Sequence, residues 1–219
     1  MIEAEQDLRQ KLLDFATSAR YDEELERAFI TYWDNKYDIA TDNQLDELDQ
    51  ARFLEFYLFD YRTAEYDLTF VELFDEFRGY TLNDIERKIV SEWRSTVFGV
   101  FIRGETGDQG TKLIDMFDES EFVVVNPELA EMPEQCLLVG RIISVLGKHR
   151  FSGPVATLSE TVTDSLHELV TARFEEYRKE MPGTTWRDFF RTERHGLQHM
   201  LLDLRIAIEN AQNTNHTDN

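Results

Sequence analysis

One cysteine, four prolines and five histidines in 219 residues leave little material for covalent staples or metal cages. The lone thiol, Cys136, excludes an internal disulfide and any multi-cysteine zinc site. It precedes the apolar run Leu137-Leu138-Val139, which predicts a buried, inert thiol, because reactive thiols need an electropositive and accessible setting. No eighteen consecutive residues are apolar, so no membrane-spanning helix is expected. The opening Met1-Ile2-Glu3-Ala4-Glu5-Gln6-Asp7 is acidic and lacks the apolar centre of a secretory signal, which makes the cytoplasm the expected compartment.

Bases are scarce as well: 23 Lys and Arg stand against 44 Asp and Glu, a net charge of −21. Residues 1–96 alone hold 24 acids against 11 bases. Such a field repels phosphate backbones, whose affinity rests on Lys and Arg contacts, so nucleic acid is disfavoured as a partner. The plainest consequence of the charge is solubility; the composition is equally compatible with a salt-adapted source. Apolar residues, at 42%, and aromatics, at 12%, are ample for a packed core. A chain of this length buries roughly 70% of its extended surface without needing a staple.

The pattern divides the chain into three. Residues 1–96 read as a helical bundle, with apolar spacing at Leu8, Leu12, Leu13 and Phe15 and a second helix from Asp22 through Trp33. A third helix, Asp46 to Tyr61, is apolar on nearly every face and is expected at the centre of the bundle. A fourth carries Phe70 to Phe77 with Gly79 as a left-handed C-cap, and Thr81 with Asp84 suggests a capping box for a fifth. From residue 97 to 159, β-branched and aromatic runs alternate with turn residues: Val97–Ile102, Lys112–Phe117, Glu121–Val125, Leu137–Leu146 and Arg150–Leu158. Five short strands, the last two joined by a turn at Gly147-Lys148-His149, predict a small, mostly antiparallel β-barrel-like module. Residues 160–210 return to long helices, Thr163–Met181 and Thr184 or Thr185 through Ile208, expected to pack as a hairpin on the first bundle; 211–219 reads as a disordered tail. The expected fold class is therefore α+β.

Catalytic motifs are absent. Gly104-Glu105-Thr106-Gly107 lacks the spacing and the Lys-Ser/Thr of a phosphate loop, and Ser152 and Ser159 lack a nucleophile elbow. His195 and His199 share a helical face, a geometry zinc can use in a hydrolase, yet no glutamate stands between them. They remain weak metal candidates, and no cofactor is expected. Arg187, Arg191 and Arg194 form a basic stripe that either pairs with the acids of residues 1–96 or binds a nucleic acid or other anion. Lys148, His149 and Arg150 form a second, smaller basic tip, with Lys148 and Arg150 as candidate binding residues. Of ten Phe or Tyr residues between Phe53 and Tyr80, most are expected in the core, and the minority that must approach the surface suggest a protein-partner or self-association surface.

Four stretches in order carry a family resemblance: Arg52 to Tyr61; Glu86 to Phe101 with Glu92-Trp93-Arg94-Ser95; Leu113-Ile114-Asp115-Met116 with Glu121-Phe122-Val123-Val124; and Leu138 to Ile143 ending in Phe151-Ser152-Gly153. Together they resemble the helical-plus-barrel region that precedes a SEC-C zinc-binding motif in a family of uncharacterised bacterial proteins. The resemblance covers about residues 46–158 and implies an architecture. The cysteine cluster of that motif is missing here, so its zinc and its interaction role do not carry over. The reading that emerges is a non-enzymatic interaction or adaptor protein, with anion binding and metal-dependent hydrolysis as alternatives.

Overall fold

Apolar spacing and capping residues set the helices of the computed structural model, which describes residues 2–33, 47–158 and 160–193, leaving aside the side chains of 2, 3, 160–162, 187 and 191. The chain divides into two compact units, Met1–Thr157 and Leu158–Asn219. In the first, helices α1 (Ile2–Ala16), α2 (Asp22–Trp33), α3 (Glu47–Phe59), α4 (Phe70–Arg78) and α5 (Asp84–Trp93) precede five strands. The strands are β1 (Val97–Gly107), β2 (Gly110–Asp115), β3 (Glu121–Val124), β4 (Leu137–Val145) and β5 (Lys148–Leu158). The second unit contains α6 (Glu160–Glu180) and α7 (Trp186–Thr192).

Helix α3 has the central position its composition demands. Phe53, Phe56, Tyr57, Leu58 and Phe59 are all buried, and the Tyr57 hydroxyl reaches the carbonyl of Ala16 at 2.9 Å. That phenol sits in an apolar setting, and burial pushes its pKa far up. Two capping details differ from the sequence reading. Gly79 has φ −52° and stays right-handed, leading α4 into a short 3-10 turn, Gly79–Thr81, in place of a left-handed cap. The fifth helix is capped by Asn83, whose side chain accepts the amides of Ile85 and Glu86 while Glu86 reaches back to the Asn83 amide. Asn83 and Glu86 supply the pairing that Thr81 and Asp84 were expected to make, with the longer acid spanning the turn.

The five strands close into a barrel in the order β1-β2-β3-β5-β4. Antiparallel pairing joins β1 to β2, β2 to β3 and β1 to β4. β4 and β5 are linked by Leu146 and Gly147, both with positive φ, the two-residue turn that matches strand twist. This turn falls one residue before the expected Gly147-Lys148-His149. Directions then follow by alternation: β3 and β5 run the same way, so the barrel closes through a parallel contact at Val124 and His149. The module is therefore mixed and mostly antiparallel, as expected, with its one parallel contact at the closure. Period-2 burial along β2 (Thr111, Leu113 and Asp115 inward) feeds an apolar centre of Phe101, Leu113, Val124, Leu129, Leu138, Ile142 and Phe151. Cys136 is partly buried against that centre.

In the second unit, Thr185 caps α7 with Asp188 in a reciprocal pair. Phe174 of α6 stacks on Trp186 with ring centres 3.7 Å apart, and Phe189 packs edge-on against it. No helix among the described residues is long and apolar enough to cross a membrane.

Candidate functional site

Charged side chains that should face water instead converge where α1 and α3 meet the barrel. Glu55 lies on the inner face of α3, and Asp60 lies just beyond its end; both are buried. From the barrel, Arg141 of β4 bonds Asp60, sits 3.4 Å from Glu55 through Nε, and donates to Thr96 Oγ1 at 2.8 Å. Its guanidinium lies between the rings of Phe59 and Phe98, at 5.2 and 5.6 Å from their centres. From α1, Arg9 bonds Glu55 and donates to Ser152 Oγ at 2.6 Å, and the Ser152 hydroxyl donates to the same carboxylate at 3.1 Å. One turn earlier, Glu5 pairs with Arg150 of β5.

Gly153 is the backbone condition for this arrangement. With φ +69° it turns β5 under Glu55, and a Cβ there would stand 2.7 Å from the Glu55 side chain. A cleft of about 420 Å³ opens over the network, walled by Leu13, Ala51, Leu54 and Leu58 and floored by Arg9, Glu55 and Ser152.

Three arginines, Arg9, Arg141 and Arg150, thus face three acids, Glu5, Glu55 and Asp60, and the charges balance. Burial dominates the titration of the outer members. It pushes the Glu5 carboxyl up, against the pull of Arg150 and Arg9. It also pushes Arg9 down to about 10, opposed by Glu5 and reinforced by the cations of Arg141 and Arg150. A network of this kind locks one arrangement of helix against barrel, since removing a single member strands its partner in low dielectric.

Two further bases of the barrel, Arg103 and Lys112, are similarly engaged. Arg103, 4% exposed, donates to the carbonyl of Leu129 at 2.9 Å and to Thr106, with Glu134 at 3.8 Å. Lys112 on the outer face of β2 meets Glu121 of β3 at 2.6 Å. Lys148 and Arg150 consequently part company: Lys148 is exposed at the hairpin tip, whereas Arg150 turns toward Glu5. His149 donates to or accepts from Ser144 at 3.0 Å, edge-on to Phe122. The side chains of Arg187 and Arg191, and all of Arg194, His195 and His199, lie outside the described residues. Among the described residues no group of three or more His, Cys, Asp or Glu is placed to hold a metal ion.

Of the dense aromatic run, seven residues are buried, Tyr66 and Phe77 are half-buried, and Tyr80 stands out at 78% exposure. Ile85, 56% exposed, follows it in the same α4–α5 corner. The buried ionic network had no sequence signal beyond Glu55 and Asp60 falling within an apolar helix, a placement that costs too much unless countercharges arrive from elsewhere.

Comparison with known proteins brought no relative: no family model, no curated protein and no solved structure matches the chain.

Proposed function

We propose that this chain is a cytoplasmic, non-enzymatic protein-interaction module whose partner presents a basic surface. The observation that carries the reading is the fate of the bases. Arg9, Arg27, Arg52, Arg62, Arg94, Arg103, Arg141 and Arg150 each lie within ion-pair distance of an acid, and several are buried there. The surplus of acids, 44 against 23 bases, is left as the outward field. Fields of one sign steer oppositely charged partners and suppress others. The exposed pair Tyr80 and Ile85 supplies apolar anchorage of the kind interfaces use.

The strand order 1-2-3-5-4 with a parallel closure is also that of the OB-fold, whose members include oligonucleotide and oligosaccharide binders. Strand order alone fixes no ligand. A strand-binding barrel needs a positive groove beside its aromatics, and here four of five barrel bases are drawn to acids.

Affinity capture at 50 and 300 mM salt, with wild-type protein and a Tyr80→Ser/Ile85→Ser variant, tests the proposal. The expected result is a stoichiometric partner with an excess of Lys and Arg, lost at high salt and weakened by the variant. A strictly monomeric mass with no stoichiometric partner overturns it, as does capture of nucleic acid.

A further inference from the structure

The cleft of about 420 Å³ lined by α1, α3 and β5 has a charged floor and an apolar wall, the composition of a small-molecule site. On its floor the cations, and not the acids, carry the accessible surface. Arg9 and Arg150 keep 30% and 29% of their side chains exposed, whereas Glu55 and Glu5 keep 7% and 2%. Arg9 spends Nη1 on Ser152 and Nη2 on Glu55, and Arg150 spends Nη2 on Glu5. Each planar fork has more N–H groups than those contacts use, so each can donate to a second anion. Cations also crowd here. Burial first, and then Arg141 and Arg150, hold Arg9 down at about 10 despite the pull of Glu5, and an anion set between Arg9 and Arg150 offsets that crowding.

The wall asks for something different. Leu13 of α1 and Ala51 and Leu54 of α3 line the same cleft half-buried, and Leu58, also lining it, is buried. Apolar side chains left half in water gain free energy when an aliphatic chain covers them.

We infer that this cleft binds a monocarboxylate with an aliphatic chain, Arg9 and Arg150 clasping the carboxylate and Leu13, Leu54 and Leu58 covering the chain. A phosphate dianion suits the forks in shape, but its second charge adds repulsion from Glu5, Glu55 and the net charge of −21. The site uses neither Tyr80 nor Ile85, so it stands or falls apart from the proposed basic partner. A free fatty acid and the C-terminal leucine of a peptide carry the same chemistry.

Amide NMR titration of the full chain with octanoate, octanamide, octyl phosphate and acetylated Gly-Ser-Leu with a free C-terminus tests it. Saturable shifts confined to residues 5–13, 51–58 and 150–153 are expected from octanoate, the peptide or both. The tighter of the two identifies the source. Octanamide keeps the chain without the charge and is expected to give none, and octyl phosphate is expected to bind more weakly than octanoate. Leu54→Asp, at a half-buried position outside the ionic network, is expected to abolish the shifts. Glu5→Gln/Arg150→Gln removes both charges of one pair together and is expected to weaken binding at least about tenfold, the worth of one charged hydrogen bond. Shifts in the wild-type chain that are absent, unsaturable, scattered or shared by octanamide overturn the inference. So does tighter binding of octyl phosphate, or binding indifferent to both variants.

Discussion

Arg141 of β4 and Asp60, one residue past α3, form an ion pair whose side chains are 1% and 2% exposed. The pair joins residues 81 apart in sequence and fastens the barrel to the helices. Neither side chain could be buried alone. Arg141→Ala is expected to cost about 3–5 kcal/mol, because Asp60 and Glu55 keep their charge and lose their counter-ion. Adding Asp60→Asn to that variant is expected to cost less than the two single changes summed, the coupling appearing in urea denaturation as a non-additive midpoint. Additive losses would mean that the pair contributes nothing specific.

Gly153 and Gly147 both hold positive φ, but in different surroundings. A Cβ at Gly153 meets Glu55 at 2.7 Å, whereas nothing lies within 4 Å of one at Gly147. Gly147→Ala is expected to cost about 1 kcal/mol, the left-handed penalty alone. Gly153→Ala is expected to cost at least about 1 kcal/mol more, since it also displaces a buried carboxylate. Thermal melts of the two variants side by side make the comparison.

The cap of α5 offers a choice between two residues two positions apart in the chain. Asn83 accepts two helix amides at 3.0 Å each, and Thr81 only donates to the carbonyl of Arg78. Asn83→Ala should lose about 1 kcal/mol. Thr81→Ala should stay within about 0.5 kcal/mol of wild type. The reverse order would restore the cap suggested by the sequence spacing.

Asp115 ends β2 with its carboxylate inside the barrel, accepting the amides of Phe117 and Asp118 at 2.8 and 3.1 Å. Burial pushes its pKa up to about 6 from an ordinary 3.8; the two amides oppose the rise and Asp118 adds to it. The folded protein therefore keeps a proton that the unfolded chain gives up first, and this group's contribution to stability falls as pH rises from about 4 to 6. Asp115→Asn keeps the acceptor and removes the charge. It is expected to match wild type near pH 4 and to exceed it by about 2–3 kcal/mol above pH 7, in denaturant titrations across that range. A constant difference at all pH values would show that the carboxyl is not titrating there.

Much of the architecture was legible because each element repeats its own signal. Leu8 and Leu12 on α1, and the alternation of Thr111, Leu113 and Asp115 on β2, expose their buried faces to a period count. The barrel's parallel closure was not legible, since it depends on which strand pairs with which, a long-range choice that no window contains. The caps misled for a related reason: Asn83-x-x-Glu86 and Thr81-x-x-Asp84 overlap, and only the path of the chain decides between them. Least visible was the Arg9, Glu55, Arg141 and Ser152 cluster. Its members are distant in sequence, and apart from Glu55, which falls within an apolar helix, they look one by one like ordinary surface residues. That same pairing is why the two candidate binding residues of the basic tip divide, Arg150 going to Glu5 and Lys148 to the surface.

The claim that four of the five barrel bases are paired with acids, leaving an acidic binding surface, is met most directly by fluorescence anisotropy at 50 mM salt with two labelled probes. These are a single-stranded oligonucleotide and a peptide rich in lysine. The account predicts saturable binding of the peptide, weakened by added salt, and no binding of the oligonucleotide. Saturable binding of the oligonucleotide, with the peptide inert, would contradict it.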